Sequence, residues 1–291
     1  MHTPNNPDIS VIVLNWNTRQ LLRKCIASVY GTVSPIDIEV IVVDNNSSDG
    51  SADMVAESFP DATLIRNSKN IGFSAGNNLA IRQASGRYIL LLNPDAELLP
   101  GSVQAMFDFA ESHPDAAVIG PKLLNTDGSL QKNGRMFPTF AREMLHITKI
   151  YRLAPGWFNR KYEWGRADFD AATEVDEVSG ACMLVRRAAI DKVGMLDERF
   201  FMYYEEVDWC LRIKKAGCKV WYLPEAQTVH HVSQSADQTG IKKNIFAYRS
   251  QYRYFLKHHG ALQAVLLRLA SSIVFTFMKI KHGFIAKGTE D

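Results

Sequence analysis

The sequence lacks the spacing that would join its cysteines into a metal site or a disulfide framework. The four cysteines form no C-x-x-C pair, and no histidine is spaced to complete a zinc site: Cys25, Cys182, Cys210 and Cys218. Free thiols in a reducing compartment are therefore favoured. The opening residues, MHTPNNPDIS, have neither a basic n-region nor an apolar h-region, so we expect a cytoplasmic protein that is not exported.

An excess of charge of one sign is also missing. The chain has 33 basic and 31 acidic residues, a net charge of +2, and we therefore expect no nucleic-acid partner. The balance is not uniform, because residues 241–289 contain nine lysines and arginines and no acidic residue. With 291 residues, 46% of them hydrophobic, the chain is long enough for one large α/β domain with an appendage.

Two common phosphate-binding motifs are absent. No G-x-x-x-x-G-K-[ST] occurs, and GFSAG (Gly72–Gly76) lacks the G-x-G-x-x-G spacing, which weakens the ATPase and dinucleotide-dehydrogenase interpretations. A phosphate ligand without such a cradle needs another counter-charge, and a divalent cation held by carboxylate oxygens is the usual solution. Asp95 in NPDAE, just past an apolar run, is placed for that purpose.

Four short apolar runs in the first 120 residues alternate with segments of helical spacing. These runs predict buried parallel strands at Ile9–Asn15, Ile38–Asp44, Thr63–Asn67 and Arg87–Asn93. Alternating strands and helices form right-handed crossovers, and ligands bind beyond the carboxyl ends of such strands. Each run ends in Asn or Asp and is followed by a polar loop. Ordinary turn chemistry explains any one such loop, but four at one edge favour a ligand site.

The second half of the chain is less regular. Periodicity is lost over residues 125–173, where both a flap over the site and an irregular subdomain fit the sequence. EVSGACMLVRR then predicts a strand followed by a short helix near Ala188–Val193, and KVWYLP predicts a strand that Pro224 stops.

Taken in order, six segments resemble the family 2 glycosyltransferases with a GT-A fold, and within them the bacterial rhamnosyltransferase-like branch. The segments are VIVLNWN, VDNNSSDGS, NIGFSAGNN, LLNPDAE, VSGACMLVRR and FFMYYEEVDWCLRIKKAGCKVWYLPEAQTVHH. The resemblance implies an α/β fold with a mainly parallel central sheet flanked by helices. It divides the chain into a GT-A domain (1–259), with a nucleotide-sugar-binding half (9–120) and an acceptor half (121–259), and a basic helical tail (260–291).

The resemblance also implies a donor site. Asp44 would hold the nucleobase of a nucleotide sugar, and further residues of the same motifs would lie along the donor: Asn15, Asn46, Asn70, Gly72, Asn77 and Asn93. Asp95 matches the last acid of the D-x-D metal motif, whose first acid is replaced by Asn93. His230 matches a position that completes the metal shell in related enzymes, so the implied cofactor is Mg²⁺ or Mn²⁺.

The implied catalytic acids are crowded into YYEEVDWCLR (Tyr203–Arg212). The resemblance gives the role of general base to Glu206, with Glu205 and Asp208 beside it. Asp208 and Arg212 are spaced i,i+4 on a predicted helix, so we expect them to pair on its surface. A neighbouring negative charge and aromatic walls would raise the pKa of the Glu206 carboxyl toward a useful basicity.

The implied reaction is an inverting transfer of a sugar, best matched by L-rhamnose from dTDP-L-rhamnose. The acceptor would be a hydroxyl of a glycan or a polyprenyl-diphosphate-linked sugar in O-antigen or cell-wall synthesis. Three alternatives stay open: a UDP-sugar donor, a nucleotidyltransferase or nucleotide-sugar hydrolase, and a non-catalytic nucleotide-sugar-binding scaffold.

The tail has an apolar run of nearly the length that a bilayer crossing requires, but Arg268 lies near its middle. An in-plane helix would instead expose one apolar face to lipid: Leu262, Val265, Leu266, Leu269, Ile273, Phe277 and Ile280. Basic residues beside it, including Lys279 and Lys281, suit anionic headgroups. We therefore expect peripheral binding to the inner face of the cytoplasmic membrane, while packing on the catalytic domain or at a homodimer interface is the alternative.

Overall fold

The computed structural model describes residues 6–32, 35–165, 168–231 and 241–287, and for 241–243 and 275–287 it describes the backbone alone. The strands are β1 (Ile9–Asn15), β2 (Ile38–Asp44), β3 (Thr63–Arg66), β4 (Tyr88–Leu92), β5 (Ala96–Leu98), β6 (Ala116–Leu124), β7 (Leu130–Gln131), β8 (Thr173–Val175), β9 (Cys182–Arg186) and β10 (Lys219–His230). The helices are α1 (Arg19–Thr32), α2 (Ser51–Ser58), α3 (Phe73–Gln83), α4 (Ser102–Ser112), α5 (Phe140–Ile147), α6 (Pro155–Phe158), α7 (Arg187–Val193), α8 (Glu205–Lys215), α9 (Ile241–His258) and α10 (Ala261–Lys287).

The described strands form one mixed sheet in the order β3-β2-β1-β4-β9-β6-β10-β5, with β7 paired to β6 and β8 to β10. The first four strands in this order are parallel, as the alternation of strands and helices predicts. Strand β9 then runs antiparallel to both β4 and β6, and β5 runs antiparallel to β10. The parallel half therefore presents the ends of β1, β2 and β4 along one edge.

Both faces of the sheet are covered, which explains why its strands are almost continuously apolar. Successive residues of β1 enter different cores: Val11 and Val13 pack with Leu22 and Ile26 of α1, and Ile12 packs with Ile81 of α3 on the opposite face. The pairing register is fixed by this alternation, because a shift of one residue would exchange the two faces. Asn15 and Asp44 are thereby held side by side at the ends of β1 and β2.

One strand continues where the sequence predicts a stop. Strand β10 runs through Pro224 to His230, so the predicted end at the proline is wrong. The register between β10 and β6 shifts between Leu223 and Gln227, and this irregularity contains the proline, which has no N–H to donate to a ladder. The extension is what carries His230 to the ligand edge.

The described part of residues 125–173 contains short elements that connect the site to the C-terminal helices. These elements are β7, α5, α6, a 3₁₀ turn (Ile150–Leu153), a π-helical turn (Asn159–Glu163) and the start of β8. A buried ion pair joins α5 to the π-helical turn, because the Arg142 guanidinium donates to both carboxylate oxygens of Glu163 at 3.0 and 3.1 Å.

The C-terminal helices share a separate core with the start of α8 and the segment before it. Ala264 and Leu267 of α10 are fully buried against Phe255 of α9, Phe200 and Val207. Helix α10 is therefore packed on the domain through one face. Among the described residues, no helix combines the length and apolarity needed to cross a bilayer.

Candidate active site

A cavity of about 260 Å³ lies beyond the carboxyl ends of β1 and β4. It brings together eight of the residues that the sequence marks as site residues: Asn15, Asn70, Gly72, Asn93, Asp95, Glu205, Glu206 and His230. The other four predicted residues do not line it: Asp44, Asn46, Asn77 and Asp208. The edge predicted to bind a ligand is thus concave, and acids from both halves of the chain line it.

Asp44 lies beside the cavity and organises its floor. One carboxylate oxygen accepts a hydrogen bond from Asn15 Nδ2 at 3.1 Å, and the other accepts from the backbone N–H of Ser47 at 2.9 Å. Asn15 in turn accepts a hydrogen bond from the Thr18 hydroxyl at 2.6 Å. Asp44 therefore makes an Asx-type turn and also fixes the side chain of Asn15.

Asn45, which the sequence reasoning missed, joins the two loops that form one wall. Its side-chain amide donates to Asn70 Oδ1 at 2.9 Å, and its oxygen accepts from Asn67 Nδ2 and from the backbone N–H of Ile71 at 3.0 and 3.1 Å. The neighbouring Asn46, which was predicted instead, is exposed and has a φ of 66°. A pair of consecutive asparagines gives no sequence signal for which of them turns inward.

Gly72 allows the closest backbone approach in the cavity wall. Its φ is 87°, and a Cβ at this position would lie 2.6 Å from both a ring carbon and the carbonyl oxygen of Phe201. Phe201 O accepts a hydrogen bond from the N–H of Phe73 at 2.7 Å, which ties the start of α3 to the segment before α8. Asn77 lies one turn into α3, buried, with its amide donating to Phe73 O at 3.0 Å.

Asp95 and His230 lie together although 135 residues separate them. The antiparallel pairing of β10 with β5 sets His230 opposite Ala96, and His230 Nε2 is 3.4 Å from Asp95 Oδ1. His230 Nδ1 is 2.7 Å from Gln131 Oε1, and because an amide oxygen only accepts, Nδ1 carries the hydrogen and Nε2 is the nitrogen that a cation beside Asp95 would bind. Histidines that bind metals typically donate their other ring N–H to an oxygen in this way.

This pair fits a divalent cation that also takes substrate oxygens. Within the described residues, no three His, Cys, Asp or Glu side chains are placed to share one ion. Mg²⁺ is commonly held by one or two protein ligands plus phosphate oxygens and water. Asp95 and His230 would supply two ligands beside an open cavity, where a diphosphate could complete the shell.

A tight turn points the two glutamates into the cavity. Tyr203 and Tyr204, directly before α8, both have left-handed φ values, 70° and 67°, which non-glycine residues rarely adopt. Glu205 and Glu206 follow in the first helical turn, where the helix dipole favours negative charge. One carboxylate oxygen of each is buried without a hydrogen-bond partner in the described chain. Such atoms are rare in native proteins and are expected where a ligand binds.

The environment of Glu206 suits a general base. Burial raises its pKa to about 7 from the ordinary 4.5, the negative charge of Glu177 adds to this rise, and Arg135 opposes it. Burial and the charge of Glu206 together raise the pKa of Glu205 well above its usual range. The negative charges that raise the pKa values of these two glutamates therefore come from their mutual interaction and from Glu177, which lies just after β8.

Asp208 has a different position from the other two acids. Its expected ion pair with Arg212 is present at 2.8 Å, but Asp208 is fully buried, so the prediction of a surface pair is wrong. Lys257 and His258 of α9 contact its other oxygen at 2.6 and 2.7 Å. Although burial alone would raise the pKa of Asp208, these hydrogen bonds and the Arg212 charge lower it. Asp208 thus anchors α9 to α8.

Sequence reasoning did not identify several residues that complete the cavity. The cavity is also lined by Trp16, Phe73 and Ser179. Gln131 contacts His230, and the negative charge of Glu177 raises the pKa of Glu206. Of the aromatic residues near the acids, Phe201 and Tyr203 line the cavity, whereas Phe200 and Trp209 are core residues. Gln131 and Glu177 have no local signal, because their roles depend on strands that are distant in sequence.

A cavity beyond the ends of parallel strands, an acid–histidine pair and a buried glutamate together fit the class of nucleotide-sugar transferases. The family model described as glycosyl transferase family 2 matches residues 10–194, and the chain belongs to this family, as its motifs indicated. It is similar to the N-acetylglucosaminyl-diphospho-decaprenol L-rhamnosyltransferase of Mycobacterium tuberculosis, with 29% identity over 89% of this chain and 88% of the relative. It is also similar to the dTDP-rhamnosyl transferase RfbF of Shigella flexneri, with 23% identity over 83% of this chain and 78% of the relative.

The fold is shared with solved glycosyltransferases. The mannosyltransferase PcManGT of Pyrobaculum calidifontis, solved with GDP-Man and Mn²⁺, superimposes with a TM-score of 0.60 at 17% identity, covering 98% of this chain and 80% of that one. GalNAc-T7, solved with UDP, GalNAc and Mn²⁺, gives a TM-score of 0.58 at 13% identity, covering 79% of this chain and 44% of that one. The predicted GT-A fold is confirmed.

Proposed function

We propose that the protein transfers L-rhamnose from dTDP-L-rhamnose, with inversion, to a hydroxyl of a polyprenyl-diphosphate-linked sugar. The observation that carries transferase chemistry is a single cavity that contains both the Asp95–His230 pair and the buried carboxylate of Glu206. The pair suits the diphosphate of a donor, and the glutamate suits an acceptor hydroxyl. The choice of donor and acceptor is supported by the names of the relatives from Mycobacterium tuberculosis and Shigella flexneri.

The reaction is a single displacement. Glu206 removes the proton from the acceptor hydroxyl, the oxygen forms a bond to the anomeric carbon, and the bond from that carbon to the diphosphate breaks. The bonding electrons leave with the nucleoside diphosphate, and no covalent intermediate with the enzyme forms. A divalent cation held by Asp95 and His230 would stabilise the negative charge of this leaving group. Asn15 and Asn70, whose side chains are held by Asp44 and Asn45, would orient the donor.

The environment of the acids weighs against a scaffold that only binds nucleotide sugars. Keeping two carboxylates buried with unsatisfied oxygens costs stability, and such strain is retained mainly at functional sites. A nucleotidyltransferase or hydrolase would share the donor half, and the reaction product distinguishes either of them from a sugar transferase.

We expect dTDP-L-rhamnose to bind at least about tenfold more tightly than UDP-glucose, UDP-galactose or UDP-GlcNAc, a difference of about 1.4 kcal/mol. Calorimetric titration of each donor with Mn²⁺ measures this. Mass spectrometry of a lipid-linked GlcNAc acceptor then measures the product. Tighter binding of a UDP-sugar would assign a different donor, while hydrolysis without transfer to any acceptor would reject the transferase.

We also propose that helix α10 lies on the cytoplasmic leaflet. Its residues Leu262, Leu266, Leu269 and Ile273 form an uncharged stripe and are 74%, 43%, 55% and 56% exposed. At 100° per residue, this stripe lies opposite the buried face of Ala264 and Leu267. The helix thus packs on the domain with one side and offers an apolar side outward, as an in-plane helix requires. The predicted continuation through Phe277 and Ile280, with Lys279 and Lys281, lies outside the described side chains.

We expect a fourfold serine variant to bind phosphatidylglycerol vesicles at least about tenfold more weakly, as measured by the partition coefficient. The four replaced residues are Leu262, Leu266, Leu269 and Ile273. The reason is that each leucine buried in lipid contributes roughly 1.5–3 kcal/mol. Vesicle flotation of the full-length protein measures it. Leu130→Ser, which changes an exposed leucine of the β6–β7 hairpin, is the control and should float normally. Failure of the wild-type protein to float, or equal flotation of the fourfold variant, would remove α10 as the anchor and leave the domain or a homodimer as its partner.

A further inference from the structure

A second cavity lies between the C-terminal helices and the segment before α8. It measures about 810 Å³, within the range of small-molecule sites, and is lined from α9, from α10 and by Arg199 and Phe200. Five of its fourteen lining residues are basic and none is acidic: Arg199, Arg249, Arg253, Lys257 and Arg268. None of these residues belongs to the cavity that contains Glu206.

The positive charge of this cavity is only partly neutralised. Arg199 and Lys257 pair with Asp197 at 2.6 and 2.8 Å. Arg249 and Arg268 have no acidic partner in the part of the chain that the structure describes, and the Arg268 guanidinium lies 5.3 Å from the centre of the Tyr252 ring. Guanidinium groups bind phosphate oxygens through pairs of parallel hydrogen bonds, so this arrangement suits a phosphorylated ligand.

The remaining walls are largely apolar. Between the charged groups of the basic residues, the cavity is lined by Phe200, Ile245, Tyr248 and Leu256. The last three of these side chains are 41%, 39% and 45% exposed. A free phosphate or a nucleotide phosphate would gain nothing from these side chains. A ligand with a phosphate group joined to a branched hydrocarbon would use both kinds of wall.

A short peptide segment connects the two cavities. Arg199 and Phe200 line the basic one, while Phe201, Met202 and Tyr203 line the catalytic one. Five consecutive residues span at most roughly 18 Å. The segment is held on α9, because the Ser250 hydroxyl donates to Met202 O at 2.8 Å and Phe246 stacks on Phe201. The two cavities therefore share one wall, and this segment places their linings no more than roughly 18 Å apart.

We propose that the cavity between α9 and α10 binds the diphosphate and first isoprene units of an isoprenoid-diphosphate-linked acceptor. This inference rests on the proposed function, which supplies the acceptor class, and adds the place where its lipid end is held. Arg249 and Arg268 bind the phosphates, and Ile245 and Leu256 contact the isoprenoid. Because Arg268 and Ser272 lie on α10 between its buried and exposed faces, the lipid would pass from the membrane surface directly into this cavity.

Farnesyl diphosphate is a short soluble probe of this site. Calorimetric titration of the full-length protein in EDTA should give saturable binding that weakens at least about tenfold in Arg249→Gln/Arg268→Gln. Arg249→Lys/Arg268→Lys keeps both charges but cannot form the paired hydrogen bonds of a guanidinium group. Its affinity for farnesyl diphosphate should lie between those of the wild type and the glutamine variant. The matched control is Arg23→Gln/Lys24→Gln, which removes two exposed charges from α1 and should bind normally. Inorganic pyrophosphate, farnesol and dihexanoyl phosphatidylglycerol should each bind at least about tenfold more weakly than farnesyl diphosphate.

Equal affinity of the glutamine variant and the control, or of the phosphatidylglycerol and farnesyl diphosphate, would overturn the proposal. So would loss of farnesyl diphosphate binding in Asp95→Ala, since the probe would then occupy the donor site. In transfer assays, the glutamine variant should show a raised KM for a lipid-linked acceptor and an unchanged KM for a phosphate-free alkyl glycoside. If no acceptor is glycosylated at all, the proposed function fails, and the binding titrations still decide whether the cavity takes an isoprenoid diphosphate.

Discussion

Replacing Glu206 by glutamine is expected to lower turnover by ~10²-fold or more while leaving donor affinity nearly unchanged. Glutamine keeps the size of the side chain and its place in the first turn of α8, but it cannot accept the hydroxyl proton. Steady-state transfer assays and donor titration measure the two effects separately. Glu205→Gln is the comparison variant, because Glu205 lines the same cavity.

The same substitution is expected to stabilise the protein at alkaline pH. The pKa of Glu206 is raised from 4.5 to about 7, so the unfolded chain loses this proton first and the free energy of unfolding falls as pH rises from about 4.5 to 7. The glutamine variant lacks this penalty. Its melting temperature should exceed that of the wild type at pH 8, and the difference should shrink at pH 5.

The pH profile gives a further check on the base. Wild-type activity should fall about tenfold per pH unit below roughly pH 7, because protonated Glu206 cannot act. Glu177→Gln removes the negative charge that raises this pKa, so its acid limb should move to lower pH. Near-normal turnover in Glu206→Gln, or an acid limb unmoved by Glu177→Gln, would assign the base to another residue.

Removal of the Asp95 carboxylate is expected to abolish most metal-dependent activity. Asp95→Ala deletes one of two protein ligands beside the diphosphate site, and we expect a loss of ~10²-fold or more, comparable to adding excess EDTA to the wild type. Mn²⁺ affinity in the presence of a nucleoside diphosphate, measured by electron paramagnetic resonance, should fall in parallel.

Two further variants make this prediction specific. Gln131→Ala leaves both ligands in place but removes the acceptor that fixes the tautomer of His230, so Mn²⁺ affinity should fall by about 10–100-fold. Glu97→Gln changes an acid two residues away that pairs with His231 outside the cavity, and it should behave as the wild type. Full activity of Asp95→Ala, or of the wild type in EDTA, would exclude a metal at this pair.

The sequence predicted the donor half of the fold well because that half is built from local signals. The observed bounds of β1 and β2 equal the apolar runs Ile9–Asn15 and Ile38–Asp44. Strand β3 ends one residue earlier than its run, and β4 is one residue shorter than its run at each end. Continuous β-branched runs closed by Asn or Asp have few alternatives to a buried parallel strand with a polar end. The family could be assigned for the same reason, since its motifs are these strand ends.

The sequence did not predict the contacts between segments that are distant along the chain. The end of β10 was misplaced at Pro224, because a proline disfavours a strand locally while the irregular pairing with β6 accommodates it. Asp208 was expected at the surface, but two residues of α9 that lie about fifty positions later bury and pair it.

The sequence by itself determined the family of the protein and predicted the residues of its candidate site: the parallel edge, Asp95, His230 and the glutamates at the start of α8. The tertiary structure decided how those residues are arranged. It set His230 beside Asp95 through the β10–β5 pairing, brought Glu177 toward Glu206, and opened a basic cavity between α9 and α10. The physical reason is the sequence distance over which each interaction acts. Strand and turn preferences act over a few residues, whereas burial, pKa and cavity shape depend on side chains that only the folded chain brings together.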